Sequence, residues 1–236
     1  MGDKTPDYGP LEIERTARLV EAARQGKDAY NDEFERVFPR KTLSDGYTDL
    51  AFGKLAAVVT YLEMLAPAPL PEGASTFDVR RVEKPDLCWY RELFRRVGED
   101  WLWFSRLRMT DEELAAILHH AGVEVYALSA GGRDEGLLEL DRRSPPDVEL
   151  AFLGVTTAVL QRGAGRALMR VALEQAWRAG TKRFWVHTCS LDHPRALSFY
   201  IKAGFRPYKR AVEVFDDPRL TGDLPRTAAR HIPLIA

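Results

Sequence analysis

Hydrophobic and polar positions change period several times along this chain, and each change marks an element. From Thr76 to Val82 (T-F-D-V-R-R-V) apolar and charged residues alternate, the period of a half-buried strand. Asp86 then precedes Trp89, Tyr90, Leu93, Phe94 and Val97, which share one helical face, so a helix capped by Asp86 is predicted. Thr110-Asp-Glu-Glu113 is a capping box opening a second helix through Leu114, Ile117 and Leu118. Three strands follow: Val123 to Ser129, Glu135 to Asp141 and Val148 to Val155. Gly131-Gly132 joins the first two as a hairpin, and Pro145-Pro146 separates the last two. Helical spacing returns from Arg166 to Arg178 and stops at Gly180. A strand over Arg183 to His187, a helix over Arg195 to Ala203 stopped by Gly204, and a last strand from Phe205 to Phe215, broken near Pro207, complete the pattern. The order β-α-α-β-β-β-α-β-α-β, hairpins first and a βαβ crossover after, reads as mixed α/β with a largely antiparallel central sheet and flanking helices.

Upstream, Leu11 to Arg24 carries one apolar helical face and Gly26 follows it. Tyr30 to Phe38 reads as a short helix stopped by Pro39, and Thr48 to Leu65 as a third helix after the turn Asp45-Gly46. Ala66-Pro-Ala-Pro-Leu-Pro-Glu-Gly favours an extended connector. The expected organisation is therefore a helical extension over residues 1–65, a proline-rich linker over 66–75, a main domain over 76–215 and a C-terminal arm over 216–236. The extension reads either as a partner or homodimer module or as packing without chemistry.

The 236 residues suffice for one ordinary domain and an appendage. A formal net charge of −1 gives no basic face for nucleic acid. Cys88 and Cys189 lie far apart in unlike contexts, without disulfide or zinc spacing, which points to an intracellular, cytoplasmic chain with free thiols. The N-terminus lacks a signal pattern, and no apolar run is long enough to span a bilayer. His119 and His120 end a helix side by side and project in different directions, which disfavours a shared metal.

Chemistry concentrates where the strand Val148 to Val155 feeds Gly163-Ala164-Gly165 and a helix. Backbone N–H groups converge at such a turn and the helix dipole adds positive potential, so it cradles an anion. Arg162 and Arg166 flank it and suit phosphate oxygens. The third place of a G-x-G-x-x-G fingerprint is Leu168, and no G-K-[ST] is present, which removes the dinucleotide and nucleoside triphosphate readings.

The block L-G-V-T-T-A-V-L-Q-R-G-A-G-R-A-L-M, followed by W-V-H-T-C-S-L-D-H-P-R-A-L-S-F-Y-I-K-A-G-F, resembles the GNAT superfamily of acetyl-CoA-dependent N-acetyltransferases. The resemblance covers Asp147 to Arg210, agrees in element order from Thr76, and does not reach residues 1–65. The family's Q/R-x-x-G-x-G/A falls on Leu160, Gly163 and Gly165, with Leu160 a departure. Its N-x-x-A-x-x-x-Y-x-x-x-G-F falls on His193, Ala196, Tyr200, Gly204 and Phe205, with His193 in place of Asn.

The resemblance implies that acetyl-CoA is the cosubstrate, with no metal. Its pyrophosphate would lie at Arg162, Gly163, Ala164, Gly165, Arg166 and Ala167, its pantetheine arm along Leu153, Gly154 and Val155, and His193 nearby. The acceptor would be a primary amine of a small molecule or of a protein, lysine or N-terminus; a catalytically silent acyl-CoA-binding module is the alternative from another class. Acetyl transfer needs a neutral amine, a polarised thioester and a stabilised thiolate. Glu149 is the first candidate base, on one face with Ala151 and Leu153 by period two. Glu139 is the second, and a water relay is the third. Tyr200 matches the family's general acid. His187 and Cys189 lie at alternate positions of their strand and face the cleft with Trp185, and Trp101-Leu-Trp-Phe104 either lines it or plugs the core.

Overall fold

The computed structural model describes residues 18, 20–22, 24, 25, 43–70, 77–178 and 180–236. Contacts divide the chain into two units, Met1–Asp49 and Leu50–Ala236. In the first, the described residues 18, 20–22, 24 and 25 are helical, as the period over Leu11 to Arg24 predicts, with Glu21 accepting from Arg24 at 3.3 Å. The helix expected over Tyr30 to Phe38 lies outside the described residues.

The second unit is a seven-stranded sheet in the order β2-β3-β4-β5-β6-β1-β7. The strands are β1 (Lys54–Met64), β2 (Asp78–Val82), β3 (Val123–Ala130), β4 (Arg133–Asp141), β5 (Asp147–Val155), β6 (Arg183–Cys189) and β7 (Arg206–Asp216). Every neighbouring pair is antiparallel except β5 and β6. Helices α1 (Leu87–Gly98), α2 (Ser105–Arg108) and α3 (Asp111–Leu118) precede β3; α4 (Ala164–Ala176) crosses from β5 to β6; α5 (Ala196–Lys202) precedes β7; α6 (Pro218–Thr221) follows it. Asp86 caps α1 by accepting from the Trp89 N–H, and Thr110 and Glu113 form the capping box of α3. One core lies between the sheet and α4 and α5, through Leu138, Leu150, Leu168, Phe184 and Phe205. Another lies under α1 and α3, through Tyr90, Phe94, Leu114, Val125 and Leu137.

The expected helix over Thr48 to Leu65 is instead strand β1, and it pairs inside the sheet between β6 and β7. Leu55, Val58, Leu62 and Leu65 mimic a helical stripe because the buried face of the strand changes partway. Ala57 and Val59 are buried on one side, Leu62 and Met64 on the other. Alternation with a phase slip looks like a longer period, while Val58, Val59, Thr60 and Tyr61 have the branched and aromatic side chains of strands. The boundary expected at 66–75 therefore moves: the compact unit begins at Leu50.

The segment over 216–236, expected as a C-terminal arm, packs on the rest of its unit. Asp217 and Arg219 are both buried, and Arg219 Nη2 donates to Asp217 Oδ2 at 2.6 Å. The same guanidinium donates to the carbonyls of Ile232, at 2.8 Å, and Pro233, at 3.2 Å. Leu224, Ala228 and Ala229 pack with Leu102. Arg219→Met leaves Asp217 buried without its cation, which costs about 3–5 kcal/mol. Urea unfolding should show that loss together with faster proteolysis of residues 222–236; an unchanged midpoint would refute the pinning role.

Candidate active site

β5 and β6 pair at three positions, Asp147 with Arg183, Val148 with Phe184 and Glu149 with Trp185, and then separate. β5 continues to Val155 paired on its β4 side alone. The gap opens into a cavity of about 800 Å³ lined along its length by Glu149 to Val155 and by Val186, His187 and Cys189.

At one end stands the glycine turn. Gly163 caps α4 with φ +91°, a left-handed value that favours glycine, and the helix begins at Ala164 rather than Arg166. The first three N–H groups of a helix have no intrahelical acceptor. Here they belong to Ala164, Gly165 and Arg166, at the turn where Gly163, Gly165 and Arg166 line the cavity. Two expectations are corrected. The Ala167 N–H donates to the Gly163 carbonyl and its side chain is buried in the core. The Arg162 N–H donates to the Val159 carbonyl, and its exposed side chain lies outside the cavity lining. Ala164, also buried, offers its N–H alone. Leu160 and Gln161 line the turn, with Gln161 at φ +62°.

Along the strand a β-bulge changes the expected facing. Leu140 opposes Leu150, and Glu139 opposes Phe152, so Ala151 is the extra residue. Past a bulge the alternation shifts by one. Glu149 therefore shares a face with Phe152 and Gly154, not with Ala151 and Leu153. Leu153 and Val155 face the α4 core. Gly154 faces α1, where an added Cβ would lie 2.4 Å from Val97 Cγ1 and 2.9 Å from Trp103 Cη2.

Trp103 spans the gap. Its ring also presses on Gly98, and its Nε1–H donates to Asp192 Oδ1 at 3.1 Å. Asp192 Oδ2 in turn accepts from Thr188 Oγ1 at 2.7 Å and from the Cys189 N–H at 2.8 Å. The aromatic turn thus does both things expected of it: all four residues line the cavity, while Leu102 is buried. Nothing in the sequence pattern marks Asp192 for this link across the cleft. The pairing of a tryptophan with an aspartate 89 positions away carries no local signal.

Glu149 lines the cavity with its carboxyl 3.8 Å from His187 Nδ1. Burial, and then the negative charge of Asp141, push its pKa up to about 7, against the opposing pull of Arg106. Glu139, the second candidate, stands apart from the cavity: it is fully buried, accepts from Tyr90 Oη–H and, at 2.5 Å, from Arg106 Nη2, and does not line it. Tyr200 is nearly buried and lines the cavity from α5; burial and Asp192 push its phenol well up, so it stays protonated. Desolvation at the cleft lowers His187, although about half of its side chain is exposed. Burial raises the Cys189 thiol to about 11, which removes thiolate nucleophilicity. His193 lines the cavity, stacks edge-on with Trp101 at 5.0 Å, and accepts from the Arg195 N–H at 3.1 Å. His119 bonds the Pro85 carbonyl and His120 accepts from the Gly122 N–H. Among the described residues no cluster of His, Cys, Asp and Glu could hold a metal ion, and no helix is long and apolar enough to cross a membrane. Asp141, Arg143, Glu213 and Phe215 also line the cavity, from the end of β4, the segment after it and β7, whose sequence carries no distinguishing motif.

A helix N-terminus with free N–H groups, an unpaired strand edge and a half-buried carboxyl thus share one cavity. The sequence model of the Acetyltransferase (GNAT) family matches residues 84–205, just over half of the chain, and the chain belongs to that family. The mycothiol acetyltransferase of Jonesia denitrificans is 39% identical over 77 residues, which are 33% of this chain and 23% of that protein. The chain thus matches about a quarter of the length of that curated relative. A GCN5-related N-acetyltransferase from Sphaerobacter thermophilus superposes with a TM-score of 0.52 at 14% identity, covering 81% of this chain and 57% of that one. An aminoglycoside acetyltransferase from an uncultured soil metagenomic sample, crystallised with trehalose, has a TM-score of 0.45 at 20% identity, over 54% of this chain and 87% of that one.

Two outcomes follow for stability. Gly154→Ala forces Val97 and Trp103 aside and should cost about 1–3 kcal/mol in urea unfolding. Glu149 has a folded pKa raised from 4.5 to about 7. Between those values the unfolded chain releases the proton while the folded chain keeps it, so stability falls as pH rises through this window. Glu149→Gln removes the fall, and its stability relative to wild type should grow by roughly 2–3 kcal/mol between pH 4 and pH 8. A constant difference would contradict the raised pKa.

Proposed function

We propose that this protein transfers acetyl from acetyl-CoA to a primary amine of a small molecule. The observation that carries the reading is Glu149, a carboxyl with pKa about 7 in the same cavity as the α4 N-terminus. Acetyl-CoA, when bound, supplies the activated thioester. The residues present fit it: the N–H groups of Ala164, Gly165 and Arg166 suit its diphosphate, and the unpaired edge of β5 suits the amides of its arm.

In this mechanism Glu149 takes a proton from the ammonium of the acceptor and so frees the lone pair for attack. Backbone N–H groups of β5 beside the bulge at Ala151 donate to the thioester oxygen as negative charge develops there. Tyr200, kept protonated by burial, donates its hydroxyl proton to the departing sulfur, and the phenolate so formed takes the second proton from the nitrogen of the new amide. Trp103 and Phe152 exclude water from the α1 side. The name of the mycothiol acetyltransferase favours a small acceptor over a protein.

Thiol release from acetyl-CoA, measured over an amine panel, tests this reading. kcat/KM should rise with pH through about 7, the value at which Glu149 loses its proton. Glu149→Gln should lower kcat by about 10²–10⁴-fold and abolish that limb, and Tyr200→Phe should lower kcat with little change in KM for acetyl-CoA. Coenzyme A binding without turnover on any amine would instead identify a silent binding module. Wild-type turnover by Glu149→Gln would eliminate the carboxylate as base.

A further inference from the structure

We propose that the outer edge of β7 docks a second copy of this chain, antiparallel, about a two-fold axis at Ala211. β7 is the last strand of the sheet, and among the described residues nothing pairs with its outer side. It is eleven residues long and exposed or half-exposed throughout. Natural sheets seldom leave such an edge bare, because its free N–H and C=O groups template another strand.

The side chains select the partner and the register. Lys209, Ala211 and Glu213 oppose Tyr61, Val59 and Ala57 of β1, so all three lie on one face. They belong to the stretch from Lys209 to Asp216 that pairs with β1 without interruption. A two-fold axis perpendicular to the sheet keeps faces together, so each residue meets one of its own parity. An axis at Lys209, Arg210 or Glu213 sets like charges directly opposite, which destabilises a pair. An axis at Val212 matches no charges. An axis at Ala211 sets Lys209 of each copy opposite Glu213 of the other, giving two ion pairs by one operation. Among the described residues neither side chain has an ion-pair partner within its own chain; Lys209 rests 4.4 Å over the Tyr61 ring. On the opposite face Val212 and Val214 are 45% and 54% exposed beside Val58, and the added strand covers their open flank. Glu213 also lines the active-site cavity, so association brings an ammonium of the second copy to the mouth of each cleft.

The association is independent of the reaction, and sedimentation of the full chain at low salt tests it. Wild type should run at twice 26.7 kDa. Lys209→Glu and Glu213→Lys, each confirmed folded by circular dichroism and melting, place like charges at both contacts and should raise the dimer Kd at least tenfold. The double reversal, Lys209→Glu with Glu213→Lys, should restore the dimer. A monomeric wild type, a dimer indifferent to the single reversals, or a double variant that stays monomeric would each overturn the proposal.

Discussion

The parallel pairing of β5 with β6 ends at Glu149 and Trp185, and the rest of the site depends on that ending. Buried backbone groups require partners. Where two neighbouring strands part, one side of β5 is left with N–H and C=O groups that no strand of this sheet takes. The gap is held by a side chain: Trp103 presses on Gly98 and Gly154 and bonds Asp192, which ties down Thr188 and the Cys189 N–H. A Cβ at either glycine would occupy the space of the ring. Packing on one wall and hydrogen bonds on the other thus keep the cleft at a fixed width.

Charge is then distributed by burial. Glu149 and Glu139 stand on adjacent strands, yet their surroundings separate them. Glu139 is sealed beneath the sheet face by Tyr90 and Arg106. Glu149 opens on the cavity, where burial and Asp141 raise it while Arg106 and Arg143 hold it back. Two carboxyls with different environments take different work, one structural and one suited to proton transfer near neutrality. Burial likewise holds the Tyr200 phenol in its protonated form.

Local rules read much of this architecture directly. Caps at Asp86 and Thr110, the Gly131-Gly132 hairpin, the glycine turn and the stop at Gly204 are each short-range devices with their own geometry, and each is found where expected. Irregular strands escape such rules. β1 exchanges its buried face partway, which disguised it as a helix and moved the domain boundary. The bulge at Ala151 turned Glu149 onto the face of Phe152 and Gly154. The tail reads as an arm because its prolines are visible in sequence while its anchor, Arg219 on four backbone carbonyls and Asp217, is not.

The sequence by itself determined the mixed α/β class and the glycine turn at α4, because periodicity, caps and turns are set by residues a few positions apart; its two motif blocks carried the resemblance to the family. Only the tertiary structure decided which carboxyl reaches the cavity, where β1 belongs, and how Trp103 and Asp192 meet across the cleft. Those outcomes rest on strand register and burial, which depend on partners dozens of residues away and change face with a single inserted residue.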